Sequence, residues 1–286
     1  MRRIRVPRPR RSIVVALELL PREDTPTPAD VRVPLALRDA EGWLMRETRK
    51  SLGRRLVCID RQLVVITPIE AGETLLFNEL LDIGGLQTEL IKHDISLRGA
   101  LTVGETREDF VAGPGIFDVH RLRELADVPR VIIDPRAFVE VEDDERLRAP
   151  YHLLMEELDY IRRLLRQDSD GVWYVDYLAN EYRAVPGETA LFHAHRALVE
   201  ARLGSVIALT RTSRSWTWLW HYHNAVVDDL HAEGLLDDAA RRELRIPARS
   251  PLVYAFPEVG PPFARPPGGR GPGARPPGGR GPGRVG

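Results

Sequence analysis

The chain has 286 residues, 43% of them hydrophobic, a formal net charge of −1 and one cysteine, Cys58. That length buries one large core or two modest ones. A lone thiol excludes a disulfide scaffold and a cysteine-based zinc site and fits a reducing compartment, read here as the cytoplasm. No apolar run is long enough to span a bilayer, so no membrane is expected, and the basic start lacks the apolar stretch of a secretory signal. Six Arg fall in residues 1–11 and five in 264–286, with no acid in either, so residues 12–263 carry a net −12. An acidic body is a poor nucleic-acid binder, and the basic tails read as solubilising arms.

Residues 1–11 read as a basic flexible arm. Residues 13–17, Ile-Val-Val-Ala-Leu, form a buried strand, and a mixed segment to residue 52 holds a helix ending at Gly53. Residues 55–59 and 62–67 are two β-rich runs joined by Asp60-Arg61, the signature of a tight hairpin. Residues 70–93 are periodic in Leu and Ile and read as a helix, with Gly84-Gly85 a weak point. A strand at 97–103, a helix at 114–126 and a strand at 130–133 follow. This order is that of a ferredoxin-like α+β sandwich, with helices on one face of an antiparallel sheet, over residues 12–149. Residues 150–256 read as a mostly helical extension, with helices at 151–167, 189–204 and 213–233 and a short strand at 172–175. Residues 264–273 and 274–283 repeat ARPPGGRGPG. Such Pro/Gly density buries nothing, so 257–286 reads as a disordered tail.

The chemistry centres on Asp60. A carboxylate at a hairpin tip, after a buried strand, is held rigidly and suits a metal ligand, although aspartate is also an ordinary turn residue. Glu18, near the end of the first strand, is the second candidate, because in a ferredoxin-like sheet that strand lies beside the one preceding Asp60. Two converging carboxylates favour hard cations such as Mg2+ or Mn2+. Arg121 and Arg123 on the 114–126 helix, or Arg98 on the preceding strand, are candidates to stabilise charge on phosphorus. Gly104 and Gly113 permit tight turns, and Gly115 permits close backbone approach. His193 and His195, like His221 and His223, are two apart and so point to different faces of a helix. One from each pair could meet, but satisfied histidines are the better reading than zinc. The run Trp216, Trp218, Trp220, Tyr222 reads as packing, in the core or at a dimer interface.

On these residues the chain resembles the class III nucleotide cyclases, most of all the pyrimidine cyclases of bacterial Pycsar antiphage defence. Leu17-Glu18-Leu19-Leu20 is similar to the family's first metal motif and Cys58-Ile59-Asp60-Arg61 to its second. Arg98-Gly99-Ala100-Leu101-Thr102-Val103-Gly104 is similar to its Arg-Gly strand, and Gly113-Pro114-Gly115 to its Gly-Pro helix start. Residues 168–178 and 218–224, the latter Trp-Leu-Trp-His-Tyr-His-Asn, look like the Pycsar extension. The family has Asp where this chain has Glu18, Gly-Phe where it has Pro21-Arg22, and Ser where it has Arg61. Phe117 replaces the Asn that purine cyclases carry four residues before their transition-state Arg. The resemblance implies a homodimer with sites between subunits, two Mg2+ or Mn2+ ions on Glu18 and Asp60, and Arg121 at the transition state. It implies UTP or CTP as substrate and a separate effector activated by the cyclic product. A catalytically inactive nucleotide sensor or dimerisation module is the alternative.

Overall fold

The computed structural model describes residues 9–20, 32–69, 75–107, 112–205 and 211–248. Residues 1–8 of the arm, 70–74 of the helix expected over 70–93 and the 257–286 tail lie outside them. The first strand, β1 (Pro9–Leu20), is longer than its apolar centre and includes Pro9, Arg10 and Arg11. Helices α1 (Arg32–Leu44) and α2 (Glu47–Lys50) lead to the hairpin of β2 (Arg55–Ile59) and β3 (Gln62–Pro68). Helix α3 (Leu76–Ile91), strand β4 (Ser96–Arg107), helix α4 (Pro114–Leu125) and strand β5 (Val131–Ile133) follow.

The sheet runs β2-β3-β1-β4-β5 and then continues. Its first four strands have the ferredoxin-like order and are antiparallel throughout, while β5 joins β4 in parallel. Strand β1 is central, so Ile13, Val14, Ala16 and Leu17 are fully buried. The neighbour of β1 is β3, the strand after Asp60, and not the one before it. Strand β2 is the outer edge and only partly buried, which corrects the expectation of a buried strand leading into Asp60.

Helices cover both faces, and strand parity shows which covers which. Thr67, paired with Ile13, accepts a hydrogen bond from Arg54 Nε at 3.1 Å. The same guanidinium binds Asp82 of α3 at 2.8 Å, a carboxylate also held by Arg46 and Arg49, and pairs with Glu79. Arg54 also donates to the Leu44 carbonyl at the end of α1. Helices α1 and α3 therefore lie on the Ile13 face. Successive strand residues face opposite ways, and Ser12 pairs with Gly104. A Cβ on Gly104 would sit 2.8 Å from Gly115 Cα, so α4 presses on the other face, backbone to backbone. Helix α3 runs unbroken through Gly84-Gly85. A Cβ on Gly85 would overlap the Trp43 indole, whose Nε1 donates to the Asp82 carbonyl at 2.9 Å; the glycine makes room for that ring.

The sheet also crosses residue 150. After α5 (Arg136–Asp143) and α6 (Leu154–Arg163) come β6 (Leu165–Gln167) and β7 (Trp173–Val175). Strand β7 pairs with β5 through Ile132 and Tyr174, and with β6 outside it. The expected helix over 151–167 thus ends early, its last three residues drawn into the sheet. Helices α7 (Tyr177–Ala184), α8 (Ala190–Ser205), α9 (Arg211–Ala232) and α10 (Asp238–Leu244) complete the described chain. Arg130, before β5, binds Asp168 and Asp170 at 2.6 Å each, and Trp218 Nε1 of α9 donates to the same Asp168 at 2.9 Å. Trp216, Trp218 and Tyr222 are buried within the chain.

Candidate active site

The β2–β3 hairpin closes in two residues, a loop length that favours positive φ. Asp60 takes it, at φ 53°, a conformation that aspartate tolerates better than most side chains. It is exposed and makes no hydrogen bond or ion pair among the described residues. Its neighbour Cys58 has a raised thiol pKa, first through partial burial and then through the carboxylates of Glu41 and Asp60. Such a thiol is a poor nucleophile.

Glu18 reaches the same end of the sheet. It stands opposite Gln62 on β3 and Arg98 on β4, and the amide of the next residue, Leu19, donates to the Arg61 carbonyl at 2.9 Å. That hydrogen bond ties the end of β1 to the hairpin tip. Cross-strand neighbours share a face, and Arg98 uses it: Nε and Nη2 both donate to Glu18 Oε2, at 3.0 and 2.7 Å.

Metal binding can be tested on this donor set. A two-ion site needs both carboxylates turned to the cations. Asp60 is exposed and no described residue competes for its carboxylate. Glu18 is engaged already, because Arg98 donates twice to its Oε2. Among the described residues no group of three or more His, Cys, Asp and Glu is placed to hold a metal. As arranged, Glu18 and Asp60 do not fit a two-ion site.

Arg121 lies on the outward side of α4. It is 80% exposed and pairs only weakly with Asp118, at 3.5 Å. Among the described residues its ion pair is with Asp118 and not with Glu18 or Asp60. Arg123 faces the other way, toward the sheet with Ile116 and Val119.

Sequence reasoning allowed one histidine of each helix to meet but did not reach the buried polar relay that they form with Tyr177 and the Leu244 carbonyl. His195 of α8 and His223 of α9 stack and share a proton at Nδ1···Nδ1 3.1 Å. His223 Nε2 lies 2.9 Å from the Leu244 carbonyl, which can only accept, so Nε2 carries a proton and Nδ1 accepts. His195 Nδ1 then donates, its Nε2 accepts, and the Tyr177 hydroxyl donates to it at 2.8 Å. The one-from-each-helix meeting does occur, and each ring is satisfied without a metal. Burial pushes His223 down to about 4 and His195 well below its ordinary value. The two-residue spacing within each helix was the available signal.

No family model matches the chain, and none of the curated proteins does. Among solved structures it is similar to the adenylyl cyclase CyaB from P. aeruginosa, with 9% identity and a TM-score of 0.36 over 59% of this chain and 94% of that one. The guanylyl cyclase Cya2 gives 12% identity and 0.36 over 60% and 94%. The catalytic core of a rhodopsin-guanylyl cyclase gives 10% and 0.35 over 59% and 97%. At such values nothing about this chain's chemistry follows from them. No helix among the described residues is long and apolar enough to cross a membrane.

Proposed function

We propose that the chain is a nucleotide cyclase that converts a pyrimidine nucleoside triphosphate, UTP or CTP, to its 3′,5′-cyclic nucleotide and pyrophosphate. The observation that carries this reading is the meeting of Glu18 and the Asp60 hairpin at one end of a ferredoxin-order sheet, tied by the Leu19–Arg61 hydrogen bond. In the reaction the O3′–Pα bond forms, the bond from Pα to the pyrophosphate oxygen breaks, and the 3′-hydroxyl proton passes to solvent water. Asp60, with no partner of its own, is the group placed to hold that hydroxyl. Arg98, oriented by Glu18, presents a fixed cation to the phosphates. Holding the reacting atoms in line is a large part of such catalysis. A pair of Mg2+ or Mn2+ ions would need Arg98 to release Glu18, so the steps assigned are those of the chain's own residues.

Arg121, exposed on α4, suits a homodimer in which α4 of one subunit meets the Glu18–Asp60 end of the other and supplies transition-state charge. A cytoplasmic place and a role in antiviral signalling through a cyclic-nucleotide-activated effector belong to the same proposal, whereas the expected units 12–149 and 150–256 share one sheet. The Glu18–Arg98 pair favours one alternative, an inactive cyclase-like fold that binds a nucleotide as sensor or dimerisation module. Incubation of the full chain with Mn2+ or Mg2+ and each of the four nucleoside triphosphates separates the two. Cyclic UMP or CMP is expected; no cyclic product from any substrate refutes the enzyme.

A further inference from the structure

Arg123 is a buried cation with too few partners. Its residue is 8% exposed, yet Nε and Nη1 have no hydrogen-bond partner and are shielded from solvent. Only Nη2 is engaged, by Glu124 Oε1 at 3.0 Å, and Glu124 is itself 62% exposed. Native proteins rarely leave buried donors open, least of all charged ones. A bidentate oxyanion takes two adjacent guanidinium nitrogens. Both forks of Arg123, Nε with Nη2 and Nη1 with Nη2, have one open donor and one that Glu124 fills.

The fold places this cation. Gly115 touches Gly104, and α4 leads back to β5, which lies parallel to β4, so α4 runs antiparallel to β4. Arg123 is about 12 Å along the helix from Gly115. The Ala16–Ala100 rung is about 13 Å along β4 from Gly104. Arg123 thus lies at the level of two small side chains, one rung on its own face short of Glu18 and Arg98. The local field is positive: the His120 imidazole is pushed down, by burial first and then by Arg123, with Glu124 opposing.

We propose that Arg123 anchors a binding site for a phosphate-class oxyanion between α4 and the β1–β4 face, with Glu124 as the exposed stand-in that the ligand displaces. The site does not depend on cyclase activity, and it is distinct from the role given to Arg121, which lies on the outer side of the same helix. Inorganic phosphate, pyrophosphate and metal-free UTP fit the same fork; they differ in whether a nucleoside adds affinity.

Calorimetric titration of the full chain with each of these three probes, without divalent ions, tests it. Wild type should bind pyrophosphate. Arg123→Met should weaken binding at least tenfold while melting no lower than wild type in ligand-free buffer, because it removes a buried charge that only the exposed Glu124 offsets. Glu124→Gln should bind several-fold more tightly. UTP binding more tightly than pyrophosphate assigns the site to a nucleotide's phosphates, and equal affinity assigns it to the free anion; either supports the site. Absence of binding to all three probes, wild-type affinity in Arg123→Met, a marked fall in its melting temperature, or weaker binding in Glu124→Gln each overturns the proposal.

Discussion

Acidification should weaken the C-terminal helices through the His195–His223 relay. In the folded chain both rings are neutral and fully buried, with His223 pushed to about 4 from an ordinary 6.5. The unfolded chain therefore binds protons that the folded one refuses, and stability falls as pH drops through 6.5 toward 4. From pH 7.5 to 5.0 His223 alone costs about 2 kcal/mol. His195 acts with the same sign, as does His120. Glu79 acts against them, since burial raises its carboxyl. A difference measurement removes these shared contributions. His223→Gln keeps a donor for the Leu244 carbonyl and an acceptor for His195 but cannot titrate. Urea unfolding at pH 7.5 and 5.0 should show wild type losing about 2 kcal/mol more than this variant. Equal losses would refute the assigned burial and tautomers.

Asp60→Asn should abolish cyclic-nucleotide formation while shifting the urea midpoint little, because the carboxylate holds no structural partner and asparagine tolerates the positive φ as aspartate does; full activity would place the site elsewhere. Gly104→Ala should destabilise the chain by about 2 kcal/mol, because its Cβ meets the backbone of Gly115 at 2.8 Å with no flexible side chain to yield. A wild-type unfolding midpoint in that variant would mean that α4 sits further from the sheet.

What the sequence made legible followed from local pattern. The continuous apolar run at 13–17 could only be buried, and Asp60-Arg61 between two β-rich runs could only turn. Residues 165–167 could not be read as strand, because Leu-Arg-Gln favours a helix and is extended only through its pairing with β7. Helices α7 and α10 are short and polar, and distant groups hold them: Tyr222 Oη accepts from Leu178 N, and His223 binds the Leu244 carbonyl. The grip of Arg98 on Glu18 spans 80 residues and depends on register, which composition does not encode. Arg123 was readable in principle. Its spacing of seven from Ile116 and four from Val119 puts it on the apolar stripe of α4, where a charged residue is out of place.

The pairing of β7 with β5 means that the strands and helices described after residue 149 are structural timber for those before it. Cut at residue 149, the chain would leave Val131, Ile132 and Ile133 as a bare apolar edge, and Arg130 buried opposite two missing aspartates. An unprotected edge of that kind recruits other chains. The practical unit for expression, crystallisation or domain grafting therefore extends past α9 to Ile246, whose amide and carbonyl are both held by Asn224.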